Sequence, residues 1–245
     1  MQAVLLASGQ NTRVQHLYPD LPKVMFPLGD RSYLDYYIDT LLAEGVSELI
    51  ILVSHLSHTI SNHLSPRPEI KTGQIKIVEQ PKGTGPAGAL MHIAEHLKER
   101  FFLFYCDILF KANLKTAYAK LDQPEFEICT FLTKDDFGMW DEMEAIINAP
   151  TETVTHFQPG AYTRKDGWMD VGQVYRKTIL EKIKKISPQE KEHVNKLFWP
   201  ELIINGQLTY HKVGPVFDIG TEKNYNTTKK IFAQEGLKAL DGKGL

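Results

Sequence analysis

Cysteine is scarce. Only Cys106 and Cys129 occur in 245 residues, and both sit inside apolar runs. They read as reduced core thiols of a cytosolic protein rather than as a disulfide framework. Neither charge is in excess, the formal net charge being −2. A chain so balanced carries no electrostatic footprint for nucleic acid or an anionic membrane, so any anion site must be local. No apolar stretch approaches the roughly 20 residues of a membrane span. The N-terminus has no basic segment, and its apolar run is too short for a secretory leader. The expected location is therefore the cytoplasm, where the Asn226-Thr227-Thr228 sequon carries no weight. Internal repeats and low-complexity linkers are missing as well. The length suits one α/β domain and suffices to bury a real core.

What is present is concentrated in Met1 to Gly29. Ala3 to Ala7 is a short apolar run bounded by Ser8-Gly9, and is predicted as a buried strand. A loop of about fifteen residues follows, a length that is uncommon without a task. It holds Ser8 and Gly9, then Asn11-Thr12-Arg13, then Pro22-Lys23. Small residues let successive backbone N–H groups converge on an anion, and Asn11 tolerates positive φ. Arg13 offers a rigid fork for phosphate oxygens, and Lys23 a mobile point charge stiffened by Pro22. The predicted object is a triphosphate cradle at the C-terminal end of the first strand.

Further along, Tyr33 to Ala43 has apolar residues at helical spacing, with Gly45 as its stop. Strands are predicted at 48–53, 74–79 and 101–105, with helices at 55–64 and 84–100 between them. Strands alternating with helices imply a parallel sheet with right-handed crossovers. After Ala119 the pattern changes. Strands are predicted at 126–133, 144–147, 154–157, 168–175 and 208–210, and helices at 177–185, 189–204 and 222–240. The expected architecture is one mixed, mainly parallel, Rossmann-like α/β sheet over residues 1–245. Residues 1–120, which hold the predicted triphosphate cradle, are expected to form one half and 121–245 the other.

Several constellations could carry chemistry. Gln80-Pro81-Lys82-Gly83-Thr84-Gly85-Pro86-Ala87-Gly88 lies at a strand-to-helix junction, where backbone donors face outward. It is not a Walker loop, because no Gly-Lys-Ser/Thr follows. Asp107 ends an apolar strand and so falls at the sheet edge where ligands of open α/β folds bind. Asp218 precedes the final helix, where it could equally be an N-cap. His92-Ile93-Ala94-Glu95-His96 fits the pattern of inverted zinc peptidases, but it follows a Gly-rich loop in a parallel α/β unit, the wrong context. His55, His58 and His63 read as a solvated helix face.

The segments Leu6-Ala7-Ser8-Gly9-Gln10-Asn11-Thr12-Arg13 and Leu21-Pro22-Lys23-Val24-Met25-Phe26-Pro27-Leu28 resemble the signature of the sugar-phosphate nucleotidylyltransferases. Asn11 stands where that family usually has glycine, and Cys106 where glycine precedes its metal-binding aspartate. The resemblance implies that Arg13 and Lys23 are catalytic. It implies that Leu6, Ala7, Ser8, Gly9, Asn11 and Thr12 seat the nucleotide with Gln80, Gly83, Thr84, Gly88 and Cys106. Asp107 and Asp218 would hold Mg²⁺, which favours few carboxylates with water and phosphate. Gly172 and Tyr175, in a strand like the family's acceptor-facing V-G-x-Y, and Asn195 would meet the acceptor.

The acceptor half departs from the family pattern. Phe157-Gln158-Pro159-Gly160 lacks the lysine of a Phe-x-Glu-Lys-Pro segment, for which Arg164 or Lys165 could substitute. Asn195 stands where a sugar-binding glutamate is usual. The implied reaction joins an NTP to a phosphorylated acceptor, a sugar 1-phosphate first of all, giving an NDP-sugar and pyrophosphate with Mg²⁺. Such products feed cell-surface polysaccharide synthesis in the short bacterial members. A cytidylyltransferase of phosphocholine or a phosphorylated amino acid derivative is the main alternative. A degenerate, non-catalytic nucleotide-binding regulator is the other. Family members are often dimers or tetramers, so a homo-oligomer belongs to the expectation.

Overall fold

The computed structural model describes residues 1–9, 12–134, 137–187, 190 and 194–241, and side chains except those of 194–196. Asn11 lies outside the described residues, as do the side chain of Asn195 and the start of the helix predicted at 189.

Nine strands form one mixed sheet. Its order across the molecule is Ile75–Glu79, Glu48–Val53, Gln2–Leu6, Arg100–Tyr105, Met169–Arg176, Ile128–Thr133, Leu208–Lys212, Thr153–Thr163, Glu142–Asn148. The first four are mutually parallel. Met169–Arg176 runs antiparallel to both of its neighbours and joins the two halves of the chain in one sheet. The sequence alternates faces accordingly. Ala3, Leu5, Leu49, Ile51, Phe102 and Phe104 enter one apolar cluster, and Val4, Ile50, Leu52, Phe101 and Leu103 enter the other. Both faces are covered, so these strands are apolar throughout.

The helix Tyr33–Ala43 seals the first face. Ser32 caps it in a reciprocal box with Asp35, and Gly45 lets the chain leave at φ +92°. Asp35 Oδ2 also lies 2.9 Å from His63 Nε2, so this histidine is a hydrogen-bond partner of the cap and not merely part of a solvated face. Among the described residues no helix is long and apolar enough to cross a membrane.

Tertiary contacts override local pattern in several places. The helix predicted over 84–100 runs only from Pro86 to His92, followed by a single 3₁₀ turn at Ala94–His96. The Gln2 side chain explains the break: its Nε2 donates to His96 O, and its Oε1 accepts from Lys98 N, both at 2.8 Å. These bonds clamp the chain to the first strand, and His92 and His96 no longer share a helical face. The final helix ends at Glu235, where Gly236 turns with φ +60°. A small antiparallel ribbon of Ile108–Phe110 and Val216–Asp218 has no counterpart in the sequence reading.

Gly172 lies opposite Phe104. A Cβ built there would come within 2.8 Å of the Phe104 ring. Gly172→Ala is therefore expected to lower stability by about 1–3 kcal/mol through overpacking, read by urea denaturation. A change below about 0.5 kcal/mol, the range of neutral surface substitutions, would mean the ring has room to move.

Candidate active site

In the four parallel strands the connection reverses direction between Gln2–Leu6 and Arg100–Tyr105. The crevice beyond the carboxyl ends of such strands is where open α/β sheets bind ligands. Two adjoining cavities open there. The larger, about 540 Å³, is lined by Leu6, Ser8 and Gly9 from the first loop, by Gln80, Gly83 and Thr84 from the second, and by Lys23 and Cys106. The smaller, about 280 Å³, is lined by Arg13, Trp140, Glu144, Asp170 and Asp218 among others. Tyr105 and Asp107 border both cavities.

Asp107 and Asp218 are 111 positions apart in sequence, and the small ribbon brings them together. Asp218 pairs with Ile108, and Ile219 N donates to Asp107 O at 2.9 Å. The Tyr33 hydroxyl donates to the carbonyls of Phe217 at 2.8 Å and Asp107 at 3.3 Å, tying the two strands to the helix. A Cβ on Gly220 would lie 2.9 Å from Asp218 Oδ1 and 3.5 Å from Asp107 Oδ2, so glycine leaves both carboxylates within reach of one point. Asp218 accepts from Gly220 N, from Trp140 Nε1 and from Asn224 Nδ2, the last two at 2.7 Å. Burial, and then the neighbouring Asp107, nevertheless hold its pKa above the ordinary carboxylate range.

Lys23 is buried, and its ammonium donates to Asp107 Oδ2 at 2.7 Å. Burial opposes its charge, but Asp107, with Asp218 behind it, prevails and raises its pKa. The lysine is a fixed cation. Cys106 is pushed up to about 12 by burial and then by Asp107, so its thiol stays protonated and is no nucleophile. Arg13 is exposed at the rim and, among the described residues, makes no hydrogen bond or ion pair. No cluster of three or more metal-ligating side chains exists among the described residues. A divalent ion at the two aspartates would take its other ligands from water and bound phosphate, the preference of Mg²⁺. The excess of negative charge at Asp218 suits such an ion.

Other expected site residues fall elsewhere. Ala7 is buried, Thr12 is exposed, and Gly88 is buried within Pro86–His92; none borders either cavity. Gly172 packs on Phe104. Tyr175 is wholly buried, with its ring stacked on Phe101 at 5.7 Å. These two lie on opposite faces of a sheet covered on both sides, so both are in the core and neither reaches the cavity walls. Arg164 donates to the carbonyls of Trp140 at 3.0 Å and Lys134 at 2.9 Å, bracing the loop that carries Trp140. Exposed Lys165 and Gln158-Pro159-Gly160 line neither cavity. Tyr105, Trp140, Glu144, Asp170 and Asn224 do, and sequence reasoning passed over all five; His55, read as part of a solvated helix face, also lines the larger cavity. Asp170 had left a signal: a carboxylate embedded in an otherwise apolar strand has to be held by partners or used.

A family model described as "Nucleotidyl transferase" matches residues 2–233. Over 156 residues the chain is 30% identical to a D-glycero-alpha-D-manno-heptose 1-phosphate guanylyltransferase of Campylobacter jejuni, covering 60% of this chain and 67% of that protein. In two further curated relatives the match spans 56% and 37% of their length. Among solved structures, HddC from Yersinia pseudotuberculosis superposes with a TM-score of 0.73 at 18% identity, over 94% of this chain and 99% of that one. An inositol-1-phosphate CTP transferase from T. maritima gives a TM-score of 0.73 at 19% identity, over 100% and 97%. The two structural likenesses establish the α/β fold.

Lys23→Met removes the ammonium and leaves Asp107 beside Asp218. Because the Asp107 side chain is 24% exposed, the expected loss is about 2 kcal/mol, below that of a fully buried pair. Millimolar Mg²⁺ is expected to restore part of it by supplying the missing charge. Equal Mg²⁺ responses of variant and wild type in thermal melts would show that the aspartates do not share a cation.

Proposed function

The chain belongs to the nucleotidyl transferase family, and from that premise we propose that it transfers a nucleoside monophosphate from an NTP to a phosphorylated small-molecule acceptor, a sugar 1-phosphate in the first instance. The observation that carries the reading is the convergence of Lys23, Asp107 and Asp218 at the boundary of two cavities. One cavity has the loops of a nucleotide site, and the other is of a size for a small acceptor. The guanylyltransferase relative, whose name specifies a heptose 1-phosphate, supports an acceptor of that kind.

In the proposed reaction an acceptor phosphate oxygen attacks the α-phosphorus. A new P–O bond forms as the bond to the β-phosphate oxygen breaks, and pyrophosphate leaves. The protein need form no covalent bond to substrate, so its work is positioning and charge neutralisation. Ser8 and Gly9 with the 80–85 loop would seat the base, ribose and phosphates. Arg13 would hold the β- and γ-phosphates and the departing pyrophosphate. Lys23, already fixed at the shared wall, would neutralise charge gathering on the α-phosphate. Asp107 and Asp218 would hold Mg²⁺, which when bound withdraws charge from phosphate oxygens.

Pyrophosphate release with each NTP against a panel of sugar 1-phosphates tests the reading. One combination is expected to turn over, and Lys23→Ala and Asp107→Ala to reduce it by roughly 100-fold or more while far-UV circular dichroism is unchanged. Near-wild-type turnover in either variant would count against these roles.

A further inference from the structure

Arg13 lines the smaller cavity and Lys23 the larger, so the chain between them sets how the two cations meet a ligand. That chain has little regular structure. It makes a single 3₁₀ turn at Gln15–Leu17, with Leu17 N donating to Val14 O, and a second turn in which Leu21 N donates to Tyr18 O, both at 3.1 Å. The Lys23 end is firmly held. Lys23–Met25 is a 3₁₀ turn whose three residues are all buried. The Tyr18 ring packs 4.7 Å from Phe26 and 6.2 Å from Tyr225 of the final helix. The Arg13 end has fewer holds. Val14 is wholly buried, but one buried side chain fixes a point and leaves the chain free to turn about it. His16 Nε2 lies 3.0 Å from Glu222 Oε2 with both side chains more than half exposed, and such surface pairs hold weakly.

The remaining hold is the side chain of Gln15. Its Nε2 donates to Tyr18 O at 3.1 Å, to Leu21 O at 3.3 Å and to Pro19 O. An amide nitrogen has two protons, so the three carbonyls share them. They also fix which end of the amide faces them, because an oxygen in that place would be repelled. The other end, Oε1, is buried and accepts no hydrogen bond among the described residues. A buried acceptor left unmet costs stability. Glutamine is therefore a poor choice for stability alone, since an apolar chain of the same length would bury no orphan. Its donors do one specific thing. They draw the residues just after Arg13 onto the anchored carbonyls just before Lys23.

We propose that Gln15 is a positioning residue for Arg13: by gathering the carbonyls of residues 18, 19 and 21 it sets the direction from which the guanidinium meets a bound triphosphate. The inference rests on the nucleotidyl-transfer reading and adds to it a residue that borders neither cavity. Gln15 takes no part in bond making. It acts through the placement of Arg13, and a displacement of about 1 Å at such a group can cost roughly 100-fold in rate.

A double-mutant cycle on the full chain with Mg²⁺ provides the test. Gln15→Met keeps the length of the side chain and removes its donors. It is expected to lower kcat/KM for the NTP roughly tenfold or more, with the KM for the acceptor little changed. Its melting temperature is expected to stay within about 4 °C of wild type, because the orphan oxygen goes with the donors. In an Arg13→Ala background the same substitution is expected to cost less than about twofold, since the group it placed is gone. A merely structural glutamine would cost the same in both backgrounds. Gln15→Glu, which turns carboxylate oxygens toward the three carbonyls, is expected to repeat the pattern and serves where Gln15→Met fails to fold. Equal losses in the two backgrounds, or wild-type kinetics in Gln15→Met, would overturn the proposal. Isothermal titration with tripolyphosphate and Mg²⁺ reads the same cycle apart from transfer. Binding weakened by either substitution and no further by both, with no pyrophosphate released from any NTP, would sustain the positioning role and sink the transferase reading. Turnover with additive losses would do the reverse.

Discussion

Two carboxylates held close together, with one buried ammonium between protein and solvent, set the terms for the rest of this molecule. Like charges in a partly desolvated place repel, and the elevated pKa of Asp218 records that repulsion together with its burial. The fold holds them there with backbone bonds, which do not give way as side chains can. The Ile108–Phe110 and Val216–Asp218 ribbon fixes the separation, and the Tyr33 hydroxyl locks the ribbon to a capped helix. Gly220 keeps the approach clear where any side chain would stand against Asp218 Oδ1. A site pre-strained toward positive charge binds polyvalent cations and their phosphates at the expense of its own stability, a common trade in functional sites.

Much of this arrangement was legible in the sequence, for reasons that differ from residue to residue. The strands at 48–53 and 100–105 are unbroken apolar runs with punctuation on both sides, so length alone identified them. The helix Tyr33–Ala43 announced itself by period and by its terminal glycine. The ribbon did not, because three-residue strands paired across more than a hundred positions have no local signal. The truncated helix after Gly85 was hidden for a related reason: what ends it is Gln2, far upstream. Gly172 and Tyr175 illustrate a different limit. The motif gave their strand correctly, but facing is a matter of register, and a shift between Asp170 and Gly172 sends Gly172 onto Phe104 while leaving Asp170 at the cavity.

The two halves of the site use different materials. The larger cavity relies on loops at the ends of parallel strands, rich in small residues, whose geometry follows from the topological switch between Gln2–Leu6 and Arg100–Tyr105. Such backbone-built sites leave dense motifs in a sequence. The smaller cavity is built from single side chains on Glu142–Asn148 and Met169–Arg176, and from a loop braced by Arg164. Individual side chains on a scaffold can be exchanged without moving the backbone. A motif reading therefore has more to work from at the larger cavity than at the smaller.

Tyr105 and Asp107 belong to both cavities, and that sharing constrains how the parts can work. Asp107 takes the Lys23 ammonium on one oxygen, so whatever cation approaches from the acceptor side meets a carboxylate already half neutralised. A phosphate seated at this boundary would be met by Lys23 and by Arg13, at the rim of the smaller cavity, which oppose the repulsion of the two aspartates.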